Sequence, residues 1–160
     1  MSLAIGDKMP SGTLRHVTDK GIEGVQTDDL FAGRKVVIFA VPGAFTPTCN
    51  DTHFPGFMVN ADTLREKGAD AVICLAVNDP FVTAAWGKAL GAGEHVQILS
   101  DGNADYTRAL GLTLDLSAIG LGVRSQRYAA IIDDGTVAYL GVEAGRDVGV
   151  SSAEAVLENL

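Results

Sequence analysis

Cys49 closes the segment Pro42-Gly43-Ala44-Phe45-Thr46-Pro47-Thr48-Cys49, directly after the apolar run 36–41. A helix-like stretch follows. A thiol at a strand-to-helix junction lies among backbone N–H groups that have no intrahelical acceptor. Those groups favour negative charge, and the thiolate is the reactive form of cysteine. Thr46, three residues earlier, carries a hydroxyl that can donate to sulfur or to a bound oxygen. The layout is that of a cysteine used for chemistry. The plain alternative is a small buried hydrophobe, which is what most free cysteines are.

The spacing Pro-x-x-x-Thr-x-x-Cys, here Pro42, Thr46 and Cys49, resembles the active-site signature of peroxiredoxins. The longer run PGAFTPTCNDTHFPGF (42–57) resembles the type II, or five-type, group of these thiol peroxidases, and VNDPFVTAAW (77–86) is similar to a second hallmark of that group. Asn50 departs from the serine usual there, and the departure is expected to matter little. The resemblance spans essentially the whole chain. It implies a thioredoxin-like α/β fold, a central mixed sheet flanked by helices with an N-terminal β extension. It also implies that Cys49 attacks the terminal oxygen of hydrogen peroxide or a small organic hydroperoxide and becomes a sulfenic acid.

Ionisation alone does not make a fast peroxidase. A free thiol is a few per cent ionised at neutral pH, so complete ionisation gains about 30-fold, or about 2 kcal/mol. The larger share must come from holding the peroxide and stabilising charge on the leaving oxygen. The resemblance assigns these tasks to Thr46, the backbone N–H of Cys49 and Arg127, with Arg124 as a weaker, more distant candidate. Without it, Arg127 would read as a solvated strand-end charge and Thr46 as a turn or cap residue. Pro42 is expected to shield the thiolate, or simply to end the strand. Gly43, Phe45 and Thr48 are expected to line the peroxide pocket.

His53 lies four residues after Cys49, which on a helix puts both on one stripe. A Cys–His dyad would suit hydrolysis or acyl transfer. No oxyanion motif or third partner is evident, so a packing or hydrogen-bonding role is the favoured reading of His53. Cys74 lies within the apolar run 71–77 and reads equally as an inert core thiol or as the resolving cysteine that pairs with Cys49. In animal type II members the resolver lies near the C-terminus. The matching stretch here, 149–153, has no cysteine. If Cys74 does not resolve, the reductant is glutathione, glutaredoxin or thioredoxin.

The elements that must position these groups are readable in outline. Short strands are expected at 12–17 and 21–26, and a helical turn at 28–31 closed by Gly33. The runs 36–41 and 71–77 read as buried strands. A helix after Cys49 should break or bend near Pro55 and stop at Gly68. Asn78-Asp79-Pro80 starts a helix to about Leu90. A third strand is expected at 96–99 and a helix at 103–110 capped by Gly111. Asp134-Gly135 joins strands 128–133 and 136–142 as a hairpin. A last helix should run 151–160, with Ser151 as cap and Glu154 completing a capping box.

Composition sets the outer limits. With 160 residues and 47% hydrophobic content, one domain over 1–160 with a full core is expected. A net charge of −8 supplies no basic field for nucleic acid or an anionic membrane. Two cysteines and three scattered histidines make neither a disulfide scaffold nor a structural zinc site. No metal or cofactor is expected. No apolar run approaches a membrane span and no signal peptide is visible, so a cytoplasmic setting is expected. A homodimer is expected from the resemblance, with Phe45, Phe81 and Trp86 as candidate interface or pocket residues. A redox sensor using the same sulfenic acid is the alternative function, and the missing Cys-x-x-Cys argues against a disulfide oxidoreductase.

Overall fold

A computed structural model describes residues 2–160. Strand β3 (Lys35–Val41) alternates its side chains between two cores, because successive residues of a strand point to opposite faces. Val36, Ile38 and Ala40 join one cluster with Ile73, Leu75, Leu99 and Tyr128. Val37, Phe39 and Val41 join the other, with Phe54, Phe57, Cys74 and Trp86. That is why the run is apolar without interruption: neither face meets water.

Seven strands form the sheet in the order β2-β1-β5-β4-β3-β8-β9. At its centre β3, β4 (Ala71–Ala76) and β5 (Gln97–Ser100) are parallel. They are linked by helices α2 (Phe54–Glu66) and α3 (Pro80–Ala89). On one side β8 (Tyr128–Asp133) runs antiparallel to β3 and leads through the predicted hairpin into β9 (Thr136–Val142). Asp134 and Gly135 both take positive φ, as a tight hairpin turn of this kind needs. On the other side β1 (Thr13–Thr18) and β2 (Gly21–Gln26) are the N-terminal extension. The one-turn helix α1 (Thr27–Phe31) and the short α4 (Asp105–Leu110) fill the connections. This is the thioredoxin-like mixed sheet expected from the sequence. No helix among the described residues is long and apolar enough to cross a membrane.

Three expectations need correction. The third strand and the helix after it begin later than the sequence suggests, at Gln97 and Asp105. The last helix, α5 (Ala153–Asn159), is capped by Ser152, whose hydroxyl accepts from the Ala155 N–H. Ser151 is not the cap because the Glu143 carboxylate takes both its N–H and its hydroxyl. A second, two-stranded sheet of β6 (Thr113–Leu116) and β7 (Gly122–Ser125) went unpredicted. Its strands are four residues each and joined by a 3₁₀ turn at Ser117–Ile119, so neither alternation nor a two-residue turn marks it clearly.

Candidate active site

Pro42 follows β3, and the loop 42–46 crosses the carboxyl end of the sheet before the helical segment containing Cys49 begins at Pro47. Asn78, at the end of the neighbouring β4, fixes this loop by accepting from the Ala44 N–H at 2.9 Å. Phe45 sits within it at φ 64°, an uncommon backbone for an aromatic residue. Cys49 then opens a five-residue π turn, Cys49–His53, which runs straight into α2. The Phe54 N–H donates to the Cys49 carbonyl one residue further back than in an α-helix. Pro55, in the first turn of α2, has no N–H to continue the ordinary ladder. The bend expected near Pro55 is therefore a widened turn, and it swings Cys49 and His53 onto one buried side.

Cys49 is fully buried. The Arg127 guanidinium donates to its sulfur from Nη2 at 3.0 Å and to His53 Nδ1 from Nη1 at 2.8 Å. A guanidinium donating to sulfur stabilises negative charge there. Arg127 is itself only 7% exposed, so it is no solvated strand-end charge. The sheet order explains the meeting. Arg127 immediately precedes β8, and Tyr128 pairs with Ala40 next to the end of β3, so antiparallel pairing delivers it beside the Cys49 helix.

The Thr46 hydroxyl donates to the Gly43 carbonyl at 2.7 Å. Its proton is committed to that carbonyl, so it is given neither to the sulfur nor to a bound oxygen, the two acceptors the sequence suggested. Its lone pairs are left to accept from a peroxide O–H. The N–H of Cys49 lies in the first helical turn, where backbone donors have no intrahelical acceptor.

Arg127, Pro42 and Thr48 line a cavity of about 400 Å³ together with Leu114, Leu116, Ile119 and residues 143–146. Thr48 borders this cavity, whereas Gly43 and Phe45 lie outside its lining. Gly43 packs closely against Thr46: a Cβ would sit 3.0 Å from the Thr46 methyl and 3.4 Å from Arg124 Nη1, so these side chains would have to give slightly. Phe45 turns out of the site, half exposed, with its ring 6.4 Å from that of Trp86. Arg124 borders the loop at Gly43 but donates to the Leu121 carbonyl and makes no hydrogen bond to Cys49. The apolar wall Leu114, Leu116 and Ile119 was missed with the β6–β7 hairpin. The apolar residues at 112, 114 and 116 ahead of Gly120-Leu121-Gly122 were its only signal.

Trp86 is a core residue, fully buried, and its indole N–H donates to Asn50 Oδ1 at 2.9 Å. Asn50 thus matters more than expected, since it satisfies a buried donor beside Cys49. His53 makes no dyad with Cys49: its Nδ1 faces Arg127 and its Nε2 donates to the Ser151 carbonyl at 2.8 Å. Burial, opposed by that carbonyl and reinforced by the Arg127 charge, lowers its pKa to about 4, so it is neutral at pH 7. Cys74 lies in mid-strand β4, opposite Phe39 and fully buried. Burial, with the nearby Cys49 adding to it, pushes its thiol well above the ordinary range. Both cysteines are free. Among the described residues no group of three His, Cys, Asp or Glu side chains could hold a metal.

The redoxin family model matches residues 4–157. Peroxiredoxin-2E-2, chloroplastic, of rice (Oryza sativa subsp. japonica) is 51% identical over 99% of this chain and 73% of its own. The chain belongs to the type II peroxiredoxins. Peroxiredoxin-2B of Arabidopsis thaliana is 46% identical over 99% of this peroxiredoxin and 98% of its own length. Reduced Prx3 of Vibrio vulnificus, solved in complex with hydrogen peroxide, superposes with a TM-score of 0.93 at 49% identity over 98% of both chains. As a peroxiredoxin, this chain is a thiol-dependent peroxidase.

Proposed function

We propose that Cys49 is the nucleophile through which this peroxidase reduces hydrogen peroxide and small organic hydroperoxides. The observation that carries the assignment is the Arg127 Nη2 donor, 3.0 Å from the sulfur in a buried site. The Cys49 thiolate attacks the terminal peroxide oxygen. An S–O bond forms and the O–O bond breaks. The leaving oxygen takes a proton and departs as water or alcohol, and Cys49 is oxidised to a sulfenic acid. Thr46 accepts from the peroxide O–H, while the Cys49 N–H and Arg127 stabilise charge on the oxygens. Pro42 and Thr48 line the cavity together with Arg127, which donates to the sulfur, and shield the site from bulk water. The wall of Leu114, Leu116 and Ile119 suits the alkyl part of an organic hydroperoxide.

The return half of the cycle runs through an external thiol: thioredoxin, glutaredoxin or glutathione. It attacks the sulfenic sulfur, releases water and leaves a mixed disulfide that a second thiol reduces. Cys74 is a poor resolver. Its thiol stays protonated, and the middle of β4 offers no path to Cys49 without opening the sheet or the helix. Residues 1–160 act as one catalytic domain. A homodimer is supported by the exposed Phe45 on the active-site loop and Phe81 at the start of α3, and sedimentation velocity tests it. Two free thiols support a cytoplasmic setting, although the rice relative is named as chloroplastic. A peroxide sensor built on the same sulfenic acid is not favoured by the family.

The deciding experiment is intact mass and non-reducing peptide mapping within seconds of adding one equivalent of hydrogen peroxide. Sulfenic acid on Cys49 with Cys74 reduced is the expected result. A rapid Cys49–Cys74 disulfide would replace the external thiol by an intramolecular cycle. An unmodified Cys49 in folded, reduced protein would refute the nucleophile assignment.

A further inference from the structure

Arg127 reaches both Cys49 and His53, and the second contact constrains the first. A guanidinium only donates. His53 Nδ1, 2.8 Å from Arg127 Nη1, must therefore be the bare nitrogen. The ring proton then sits on Nε2 and points at the Ser151 carbonyl. The ring cannot turn away: it is buried and packs edge-on against Phe39 and Phe57, with centroids 5.2 and 5.6 Å apart.

The Ser151 carbonyl is itself held in place. Glu143 Oε2 accepts from the Gly149 N–H, the Ser151 N–H and the Ser151 hydroxyl at 2.7, 2.8 and 2.6 Å. The Tyr139 hydroxyl donates to the Val150 carbonyl next door. Gly141 makes room for that carbonyl, which a Cβ at 141 would overlap. Residues 143–151 thus form a strap pinned to the end of β9. Its first residues, 143–146, also line the cavity.

Among the described residues Arg127 makes no salt bridge to a carboxylate. A carboxylate in the place of His53 would aim the guanidinium equally well but offset its charge. We infer that His53 is a positioning residue for the peroxidase reaction: as a neutral acceptor anchored by the Glu143–Ser151 strap, it aims Arg127 at Cys49 without neutralising it. The inference rests on Cys49 being the peroxide-reacting thiol. Charged groups facing His53 are Arg127 from the start of β8 and Glu143 from the end of β9.

The test measures the second-order rate of Cys49 oxidation by hydrogen peroxide and the thiolate absorbance near 240 nm at pH 7. His53→Leu should react roughly 10- to 100-fold more slowly and lose thiolate absorbance, since a small misplacement of a positioned group costs on that order. His53→Gln keeps an acceptor for Arg127 and should recover most of both. A purely structural role would lower the melting temperature of both variants and leave the folded protein's rate and absorbance unchanged, which would overturn the inference. If His53→Leu does not fold, Glu143→Gln reads the same link, with an expected loss of roughly 3- to 10-fold. A wild-type rate in folded Glu143→Gln would then overturn it. If hydrogen peroxide leaves Cys49 of the wild-type chain reduced, the nucleophile assignment fails, and the inference with it.

Discussion

Cys49 and Cys74 are both fully buried, both free and both members of the same apolar cluster. They differ in what else reaches the sulfur. Cys49 stands at the junction of a strand and a helix, in the first turn, with a guanidinium donor at 3.0 Å. Cys74 stands in mid-sheet, where backbone groups bond to neighbouring strands and burial holds the thiol protonated. Burial by itself silences a thiol. Burial together with an aimed donor removes water from the sulfur while keeping its negative charge favourable. Both sulfurs are buried, and the donor at 3.0 Å is what sets Cys49 apart.

Exchanging either sulfur tests this contrast most severely. Cys49→Ser should abolish peroxide reduction, because a hydroxyl in that site is neither ionised nor comparably nucleophilic; peroxide consumption with a thioredoxin system measures it. Any substantial residual turnover would mean that Cys74 is not silent. Removing the donor should have the next largest effect. Arg127→Gln should slow oxidation of Cys49 by roughly 10²- to 10³-fold, the scale for deleting one charge-stabilising donor. Stopped-flow fluorescence of the buried Trp86, which lies near Cys49, can follow that step.

The acceptor behind the donor has no counterpart at Cys74, and it marks the site with a pH signature. Folded, His53 takes its proton only near pH 4, whereas an unfolded imidazole takes it near 6.5. Between those values the unfolded chain binds the extra proton, so stability falls as pH drops from about 6.5 to about 4. A depression of that size corresponds to about 3 kcal/mol. Urea denaturation of wild type and His53→Gln at pH 7 and pH 4 isolates it: the wild-type advantage should shrink by about that amount. The smallest effect belongs to the silent thiol. Cys74→Ala should leave the rate of Cys49 oxidation unchanged and lower stability by about 1 kcal/mol through a small cavity. A marked rate loss in the folded variant would give Cys74 a part in the chemistry.

Much of the fold was legible because its signals are local. The continuous apolar runs gave β3 and β4, Asp79 and Pro80 started α3 by capping and fixed φ, and Asp134-Gly135 turned the terminal hairpin. Where two polar residues competed for one role, local reading failed. Ser151 and Ser152 are equally good caps on paper, and Glu143, eight residues earlier than Ser151, decided between them. The β6–β7 hairpin escaped for a related reason, and the apolar cavity wall escaped with it: strands this short are stabilised by what they cover.

The sequence by itself singled out Cys49, Thr46 and Pro42 as candidates, because these lie within eight residues and the expected chemistry needs only a strand end and a helix start. It pointed to Arg127 only through resemblance to a family. Tertiary structure decided the rest. Antiparallel pairing of β8 with β3 brought Arg127 across 78 residues to the sulfur. The strap after β9 reached back 98 residues to fix the His53 ring. Hydrogen bonds of that reach depend on sheet order and register, and no spacing along the chain encodes them.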